Sequence, residues 1–146
     1  MSETTSRVSS VHQETRAVSD GDIDMLGHVS NIAYVRWIQD VAIAHSSAVG
    51  LGVEAYRDLG AHFVVRRHEI DYLRSTGPSE VATLIERWSA ATSVRRTRVL
   101  VGAREVVRAT TTWAFIDAST GRPSRIPEQV QRAFAQQDGA DDATRE

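Results

Sequence analysis

The sequence predicts an α+β domain in which an antiparallel sheet wraps around one long buried helix. The stretch from Asn31 to about Val49 is apolar on almost every side, which is typical of a helix surrounded by other structure. The second half of the chain instead alternates between apolar and polar residues in segments separated by turns. A sheet that curls around the helix would allow the helix to be apolar all round.

Length and composition limit the class of protein. The 146 residues favour one domain, which we place at 9–137, with polar ends 1–8 and 138–146 expected to be disordered. A net charge of −2 disfavours nucleic acid as a partner. The chain has no cysteine, which excludes disulfides, thiolate metal sites and a cysteine nucleophile.

Targeting signals are not evident in the sequence. The amino end is polar and rich in serine and threonine, without the apolar core of a signal peptide. No run approaches the roughly 20 apolar residues that cross a bilayer, so no membrane partner is expected. We therefore expect a cytoplasmic protein.

The first half is expected to contain one strand and two helices. Weak alternation predicts a strand over Val8–Val18, and a loop follows over Ser19–Ser30. Ser30 or Asn31 suits the N-cap of the long helix. Gly50 and Gly52 mark its end, and a short helix over 53–59 is stopped by Gly60.

The second half is expected to contain four strands and a last helix. The apolar phase over His62–Arg74 switches from odd to even positions, which indicates a bulge. The remaining predicted elements are strands over 81–89, 94–101 and 105–117, a turn at Gly77-Pro78, and a helix from Pro127 to about Ala135. Because the other sheet face and the edges need cover, we expect a homodimer or homotetramer.

The stretch Asp24-Met25-Leu26-Gly27-His28-Val29-Ser30-Asn31 carries the parts of an acyl-transfer site. It sets an acid and a histidine around a glycine directly before the long helix. A helix amino end offers unpaired N–H groups that can hold an oxyanion, while a carboxylate handles water or attacks a carbonyl. From spacing alone, Asp24 could equally be a loop aspartate that caps a turn, and Asp22 competes for the catalytic assignment.

The chain resembles the hotdog-fold acyl-CoA thioesterases of the 4-hydroxybenzoyl-CoA thioesterase-like family. The resemblance rests on Asp22-Ile23-Asp24 followed by Gly27-His28-Val29-Ser30-Asn31 and an apolar helix bearing Tyr34 and Trp37. Glu69-Ile70-Asp71-Tyr72-Leu73-Arg74 and Ile126-Pro127-Glu128 add to it, so that it covers residues 10 to 135. Ser30 replaces the more usual asparagine, and Gly77-Pro78-Ser79-Glu80 stands where a Gly-Asp pair is common.

The resemblance implies hydrolysis of acyl-CoA, or of acyl carrier protein, thioesters at a dimer interface without a metal or organic cofactor. It aligns Asp24 with the catalytic aspartate, acting as nucleophile or general base, and the backbone N–H of Asn31 with the oxyanion donor. It leaves Asp22 in a structural role. The preferred acyl group stays open.

Other candidates are assigned from residue chemistry. His28 could orient the substrate or Asp24, and Gly27 permits a tight turn close to the ligand carbonyl. Tyr34 is either core or the wall of an acyl pocket. Arg66, Arg67 and Arg96 are candidates for the CoA phosphates, although exposed strand arginines are often only solvated.

Parts of the sequence are also compatible with two other functions and with a metal site. A hotdog acyl-CoA hydratase or dehydratase also pairs a carboxylate with a histidine, but no proline lies between Asp24 and His28. A non-catalytic acyl-ligand binding module is the alternative from another class. His62 and His68, six apart on a predicted strand, should share a face, yet two histidines without a third ligand are a weak metal site.

Overall fold

The computed structural model describes residues 8–74 and 79–135, and these form one five-stranded antiparallel sheet with three α-helices. The strands run in the spatial order β1-β3-β4-β5-β2. The α+β prediction is confirmed. The strands are β1 His12–Arg16, β2 Ala61–Tyr72, β3 Ser79–Trp88, β4 Thr92–Val101 and β5 Arg104–Asp117.

The three helices lie close to their predicted positions because their ends carry strong local signals. They are α1 Asn31–Ala48, α2 Val53–Leu59 and α3 Glu128–Ala135. The Ser30 hydroxyl accepts a hydrogen bond from the backbone N–H of Ala33, so Ser30, not Asn31, is the N-cap of α1. Gly60 ends α2 in the left-handed conformation, with φ of 70°.

The first strand is shorter than predicted. The structure assigns only His12–Arg16 to β1, whereas the alternation suggested Val8–Val18. Ser9 and Ser10 instead donate backbone hydrogen bonds to the carbonyls of Ile85 and Phe134, which takes them out of the β1–β3 ladder. The ends expected to be disordered lie outside the described residues apart from Val8, and so does the turn at Gly77-Pro78.

The predicted bulge in β2 is confirmed, and it overturns one expectation. The pairing of β2 with β5 shifts register between Val65 and Arg67. The extra residue reverses the alternation, so His62 pairs with Ile116 and His68 with Thr111, positions of opposite parity on β5. The prediction that the two histidines share a face is therefore wrong.

The prediction that α1 is buried on nearly every side is wrong for the single chain. Tyr34, Trp37 and Val41 pack into the core against β3, β4 and β5. On the opposite side of the helix, Ile32 is 73% exposed and Ile43 is 56% exposed. One chain supplies a sheet on one side of α1 only, so apolar positions on the other side meet solvent.

Candidate active site

A groove of about 570 Å³ lies at the amino end of α1. The loop that precedes the helix, the first turn of the helix and the end of β2 form its walls. Its lining residues are Asp24, Leu26, His28, Val29, Ser30, Asn31, Ile32, Tyr34, Tyr72, Leu73 and Arg74. The groove therefore brings together Asp24, His28, Asn31 and Tyr34, four of the residues that the sequence singled out.

A tight hairpin turn holds Asp24 and His28 together. The backbone N–H of Asp24 donates to the His28 carbonyl at 2.8 Å, and the Gly27 N–H donates to the Asp24 carbonyl at 3.0 Å. Ile23 and Val29 form an antiparallel bridge on either side of the turn. Gly27 has φ of 78°, a left-handed conformation that glycine adopts without strain.

The Asp24 carboxylate is oriented by the same turn. Its Oδ1 accepts hydrogen bonds from the backbone N–H groups of Leu26, at 2.9 Å, and His28, at 3.2 Å. Its Oδ2 has no hydrogen-bond partner among the described residues. The turn-capping role that spacing suggested is thus present, and it leaves one oxygen of an exposed carboxylate available at the groove.

The amino end of α1 presents donors to the groove. The N–H of Ala33 is used by the Ser30 hydroxyl and that of Tyr34 by the Ser30 carbonyl. Within the described chain, the N–H groups of Asn31 and Ile32 have no acceptor. Two free N–H groups at the positive end of a helix dipole can stabilise a negative oxygen.

Asp22 has a structural environment that differs from that of Asp24. It is buried, and its Oδ2 accepts hydrogen bonds from the Ser19 N–H and hydroxyl at 3.0 and 2.9 Å. These bonds, led by the one from the Ser19 backbone and helped by Arg36, lower the pKa of the Asp22 carboxyl. Asp22 closes the short 3-10 turn Asp20–Asp22, as expected for the structural acid of the pair.

The end of β2 contributes residues that the sequence reasoning missed. Tyr72, Leu73 and Arg74 line the groove although they lie more than 40 residues beyond Asn31. The Tyr72 hydroxyl donates to the Asn31 carbonyl at 3.5 Å, and its ring lies 6.0 Å from that of the buried Tyr34. Only the match of Glu69 to Arg74 with the family pattern pointed to this segment.

The predicted phosphate-binding arginines lie elsewhere in the single chain. Arg67 is paired with Glu69 and Arg96 with Glu86, on the sheet face opposite α1. Arg66 is exposed beside the bulge. None of the three lines the groove, so a role in binding the substrate of this chain stays a prediction.

The described residues include neither a cluster of metal ligands nor a membrane-spanning helix. No group of three or more histidine, aspartate or glutamate side chains there could hold a metal ion. Among the same residues, no helix combines the length and the apolar character needed to cross a bilayer.

Residues 18–134 match the model of a family that is described as the thioesterase-like superfamily. No curated protein matches the chain. A Lactobacillus plantarum protein provisionally described as an oleoyl thioesterase has a TM-score of 0.82 at 17% identity, over 86% of this chain. This chain spans only 50% of that protein's length.

Two other solved structures are similar over most of both chains. A 1,4-dihydroxy-2-naphthoyl-CoA thioesterase from Synechocystis has a TM-score of 0.76 at 16% identity, covering 88% of this chain and 98% of its own. A Staphylococcus aureus protein solved in complex with CoA has a TM-score of 0.78 at 15% identity, covering 90% of this chain and 86% of its own. At these identities the likeness shows the fold.

Proposed function

Because the chain belongs to the thioesterase-like superfamily, we propose that it hydrolyses acyl-CoA thioesters in the groove at the amino end of α1. The family match and the thioesterase neighbours confirm the resemblance to hotdog-fold thioesterases and support thioester hydrolysis in general. The observation that carries the assignment is that one groove is lined by an Asp24 oxygen and by the N–H groups of Asn31 and Ile32, none of which has a partner among the described residues.

The proposed chemistry uses the two parts of the groove together. The thioester carbonyl oxygen accepts hydrogen bonds from the N–H groups of Asn31 and Ile32, which stabilise the negative charge of the tetrahedral intermediate. Asp24 either attacks the carbonyl carbon, giving an anhydride that water cleaves, or removes a proton from the attacking water. The carbon–sulfur bond breaks, and the leaving thiolate takes up the proton that water loses, which gives a free acid and a thiol.

We propose further that the thiol part of the thioester substrate is coenzyme A. It is supported by the neighbour that was solved with CoA and by the neighbour named for an acyl-CoA substrate. Arg74, which lines the groove, joins Arg66, Arg67 and Arg96 as a candidate partner for the CoA phosphates. The latter three could contribute to a groove only if a second copy of the chain brought them there.

A homodimer is the proposed assembly, and the unpaired surfaces of the single chain support it. In the described sheet β2 is an edge strand of 12 residues, long enough to pair with another chain. Ile32 and Ile43 are exposed on the same side of α1, three helical turns apart. A second copy would cover apolar surface that one sheet leaves open.

Replacement of the Asp24 carboxylate by an amide tests the proposal. Asp24→Asn keeps an Oδ1 acceptor for the turn but removes the charge, so kcat for an acyl-CoA panel should fall by about 100-fold or more. Thiol release can be followed with a thiol reagent without background, because the chain has no cysteine. Asp20→Asn, an exposed acid in the same loop, is the matched control and should keep wild-type activity.

Three results would contradict the proposed hydrolysis. If folded Asp24→Asn turns over acyl-CoA at the wild-type rate, Asp24 is not the catalytic carboxylate. Tight acyl-CoA binding without thiol release by the wild-type protein would instead select the non-catalytic binding module. Loss of conjugation of an enoyl-CoA without thiol release would select a hydratase.

A further inference from the structure

A second cavity lies at the carboxyl end of α1 and is lined by residues of that helix, α2, α3 and the sheet. Its volume is about 210 Å³, below the roughly 300 to 1,000 Å³ of pockets that hold drug-sized ligands. Most of its lining is apolar and aromatic: Leu51, Tyr56, Phe63, Ile85, Trp113 and Phe134. Along α1 it is centred near Ser46, 15 residues from Asn31 and therefore roughly 22 Å from the groove in the same chain.

A buried arginine lies in the wall of this cavity. Arg95 is 4% exposed, and its guanidinium lies over the Phe134 ring at 5.6 Å from the ring centre. No carboxylate of the described chain pairs with it within 4.0 Å. A buried charge without a counter-ion is strongly unfavourable and is uncommon in folded proteins.

The hydrogen bonds of Arg95 use only one of its three nitrogens. Nη1 donates to His45 Nδ1 at 2.8 Å and to the Thr83 hydroxyl at 3.1 Å. The three N–H groups on Nε and Nη2 have no acceptor among the described residues. These two nitrogens form the edge of a guanidinium that binds a carboxylate through two parallel hydrogen bonds.

The neighbours of Arg95 are neutral and cannot balance its charge. An arginine only donates, so His45 Nδ1 must accept, and its Nε2–H then donates to the Ser10 hydroxyl at 3.2 Å. The Ser10 hydroxyl in turn donates a hydrogen bond to the Phe134 carbonyl at 2.8 Å. Burial, and then the positive charge of Arg95, lower the pKa of His45 to about 3.

Two of the residues that line the cavity, Arg95 and Trp113, have N–H groups without an acceptor in the described chain. Burial lowers the pKa of Arg95 to about 9, which leaves the guanidinium charged at neutral pH. Trp113 lines the same cavity, and its indole N–H is buried without an acceptor in the described structure. A carboxylate in the cavity would supply the acceptor and the negative charge that Arg95 lacks, whereas a neutral hydrocarbon would supply neither.

We propose that this cavity binds a small carboxylic acid with an apolar body, whose carboxylate accepts hydrogen bonds from Nε and Nη2 of Arg95. The body packs against the aromatic lining formed by Tyr56, Phe63 and Phe134. The acid is compact, on the scale of benzoate or octanoate, because the cavity is small. This goes beyond the proposed hydrolysis, since binding here requires no turnover.

Calorimetric titration of the full chain with benzoate and octanoate tests the proposal, with benzyl alcohol and octanol as neutral analogues of the same shape. The acids should bind at least tenfold more tightly than the alcohols. Arg95→Met should reduce acid binding at least tenfold, and it should still fold because an apolar side chain of similar size relieves a buried charge. Arg98→Met, which changes an exposed arginine on the outer sheet face of the same strand, is the matched control and should bind like the wild type.

Two further variants separate acid binding in this cavity from catalysis in the groove and from a folding defect. The same titrations with Asp24→Asn should give the same affinities, so a failed hydrolase assignment would leave this proposal standing. If Arg95→Met does not fold, Arg95→Lys, which keeps the charge but loses the second nitrogen of the fork, should weaken acid binding at least tenfold. Equal affinity for acids and alcohols, or acid binding that survives the loss of Arg95, would overturn the proposal.

Discussion

At the scale of the residue, the Asp24 turn combines a structural and a chemical role in one side chain. One oxygen of the carboxylate receives the N–H groups of Leu26 and His28, and the other is left at the groove. The turn can form because Gly27 adopts a positive φ. The position of the reactive oxygen therefore depends on a residue that has no functional group.

Gly27→Ala should lower activity because the position of the Asp24 carboxylate depends on the positive φ of Gly27. A Cβ at Gly27 meets nothing within 4 Å, so the cost comes from the left-handed backbone, about 1 to 2 kcal/mol. The turn should relax, which moves the Asp24 carboxylate and lowers kcat about tenfold or more. Gly21→Ala in the same loop has equal space without a positive φ and should keep wild-type kcat and stability.

Gly27→Asn separates strain from crowding in the same assay. Asparagine tolerates the left-handed region better than alanine does, so its kcat should lie between those of Gly27→Ala and the wild type. Equal kcat for the wild type and Gly27→Ala would show that turn geometry does not set the catalytic rate.

His45 makes stability depend on pH. Its pKa is about 3 in the folded chain against 6.5 when unfolded, so the unfolded chain takes up the proton first as pH falls. The free energy of unfolding should therefore decrease as pH falls below about 6.5, by roughly 2 kcal/mol between pH 7 and pH 5. Urea denaturation across this range measures it.

Two histidine variants test whether His45 causes the pH dependence of the free energy of unfolding. His45→Gln removes the titrating ring, so its stability should change less between pH 7 and pH 5, by the same roughly 2 kcal/mol. His62→Gln replaces an exposed ring and should keep the wild-type pH dependence. Parallel curves for all three proteins would contradict a buried neutral His45.

At the scale of the element, α1 supplies both the core and the groove. Its inner side carries Tyr34, Trp37 and Val41 into the core. Its amino end presents the N–H groups of Asn31 and Ile32, which have no acceptor in the part of the chain that the structure describes. Ser30 connects the two roles, because its hydroxyl satisfies a third N–H and fixes where the helix begins.

Substitutions at Ser30 should separate stability from catalysis. Ser30→Ala removes the cap and should cost about 1 kcal/mol in urea denaturation. Ser30→Asp keeps a cap acceptor, and its charge suits the helix dipole, so stability should be retained. The same negative charge opposes an oxyanion at the groove, so kcat should fall for Ser30→Asp.

Ser30→Thr is the matched control for these variants and should retain both stability and kcat. An Asp variant with undiminished kcat would show that no negative charge develops near this helix end during the reaction.

At the scale of the whole molecule, the single chain leaves an apolar helix side and a long sheet edge uncovered. The exposed Ile32 and Ile43 on α1 and the free edge of β2 are features that a second copy would bury. The outer sheet face is different in character, with ion pairs such as Arg96 with Glu86 and Arg98 with Glu105. Association through the helix side is therefore favoured over association through the outer face.

Ile43→Glu should weaken the proposed dimer. The wild type should have about twice the chain mass of 16.1 kDa by light scattering, and a charge on the helix side should shift the mass toward that of one chain. Val101→Glu, which changes an exposed apolar residue at the far end of β4, should leave the mass unchanged. A wild-type protein that is monomeric at micromolar concentration would contradict the dimer.

Much of the fold could be predicted because its signals are local. The caps of α1 and α2, the bulge in β2 and the bounds of the last helix each depend on a few neighbouring residues. The candidate site was predictable where Asp24, His28 and Asn31 lie within one turn and one helix start. It was not predictable at Tyr72 and Arg74, which reach the groove through the pairing of distant strands.

The sequence by itself determined the order of helices and strands, the α+β class and the acid-bearing turn before α1. Tertiary structure alone decided that one side of α1 is exposed, that Arg67 and Arg96 face away from the helix, and that Arg95 meets His45 inside a cavity. Periodicity and capping act over a few residues, so they can be recognised in the chain. Which strand faces are covered, and which buried groups meet, depends on contacts between residues up to 124 positions apart, such as Ser10 with Phe134.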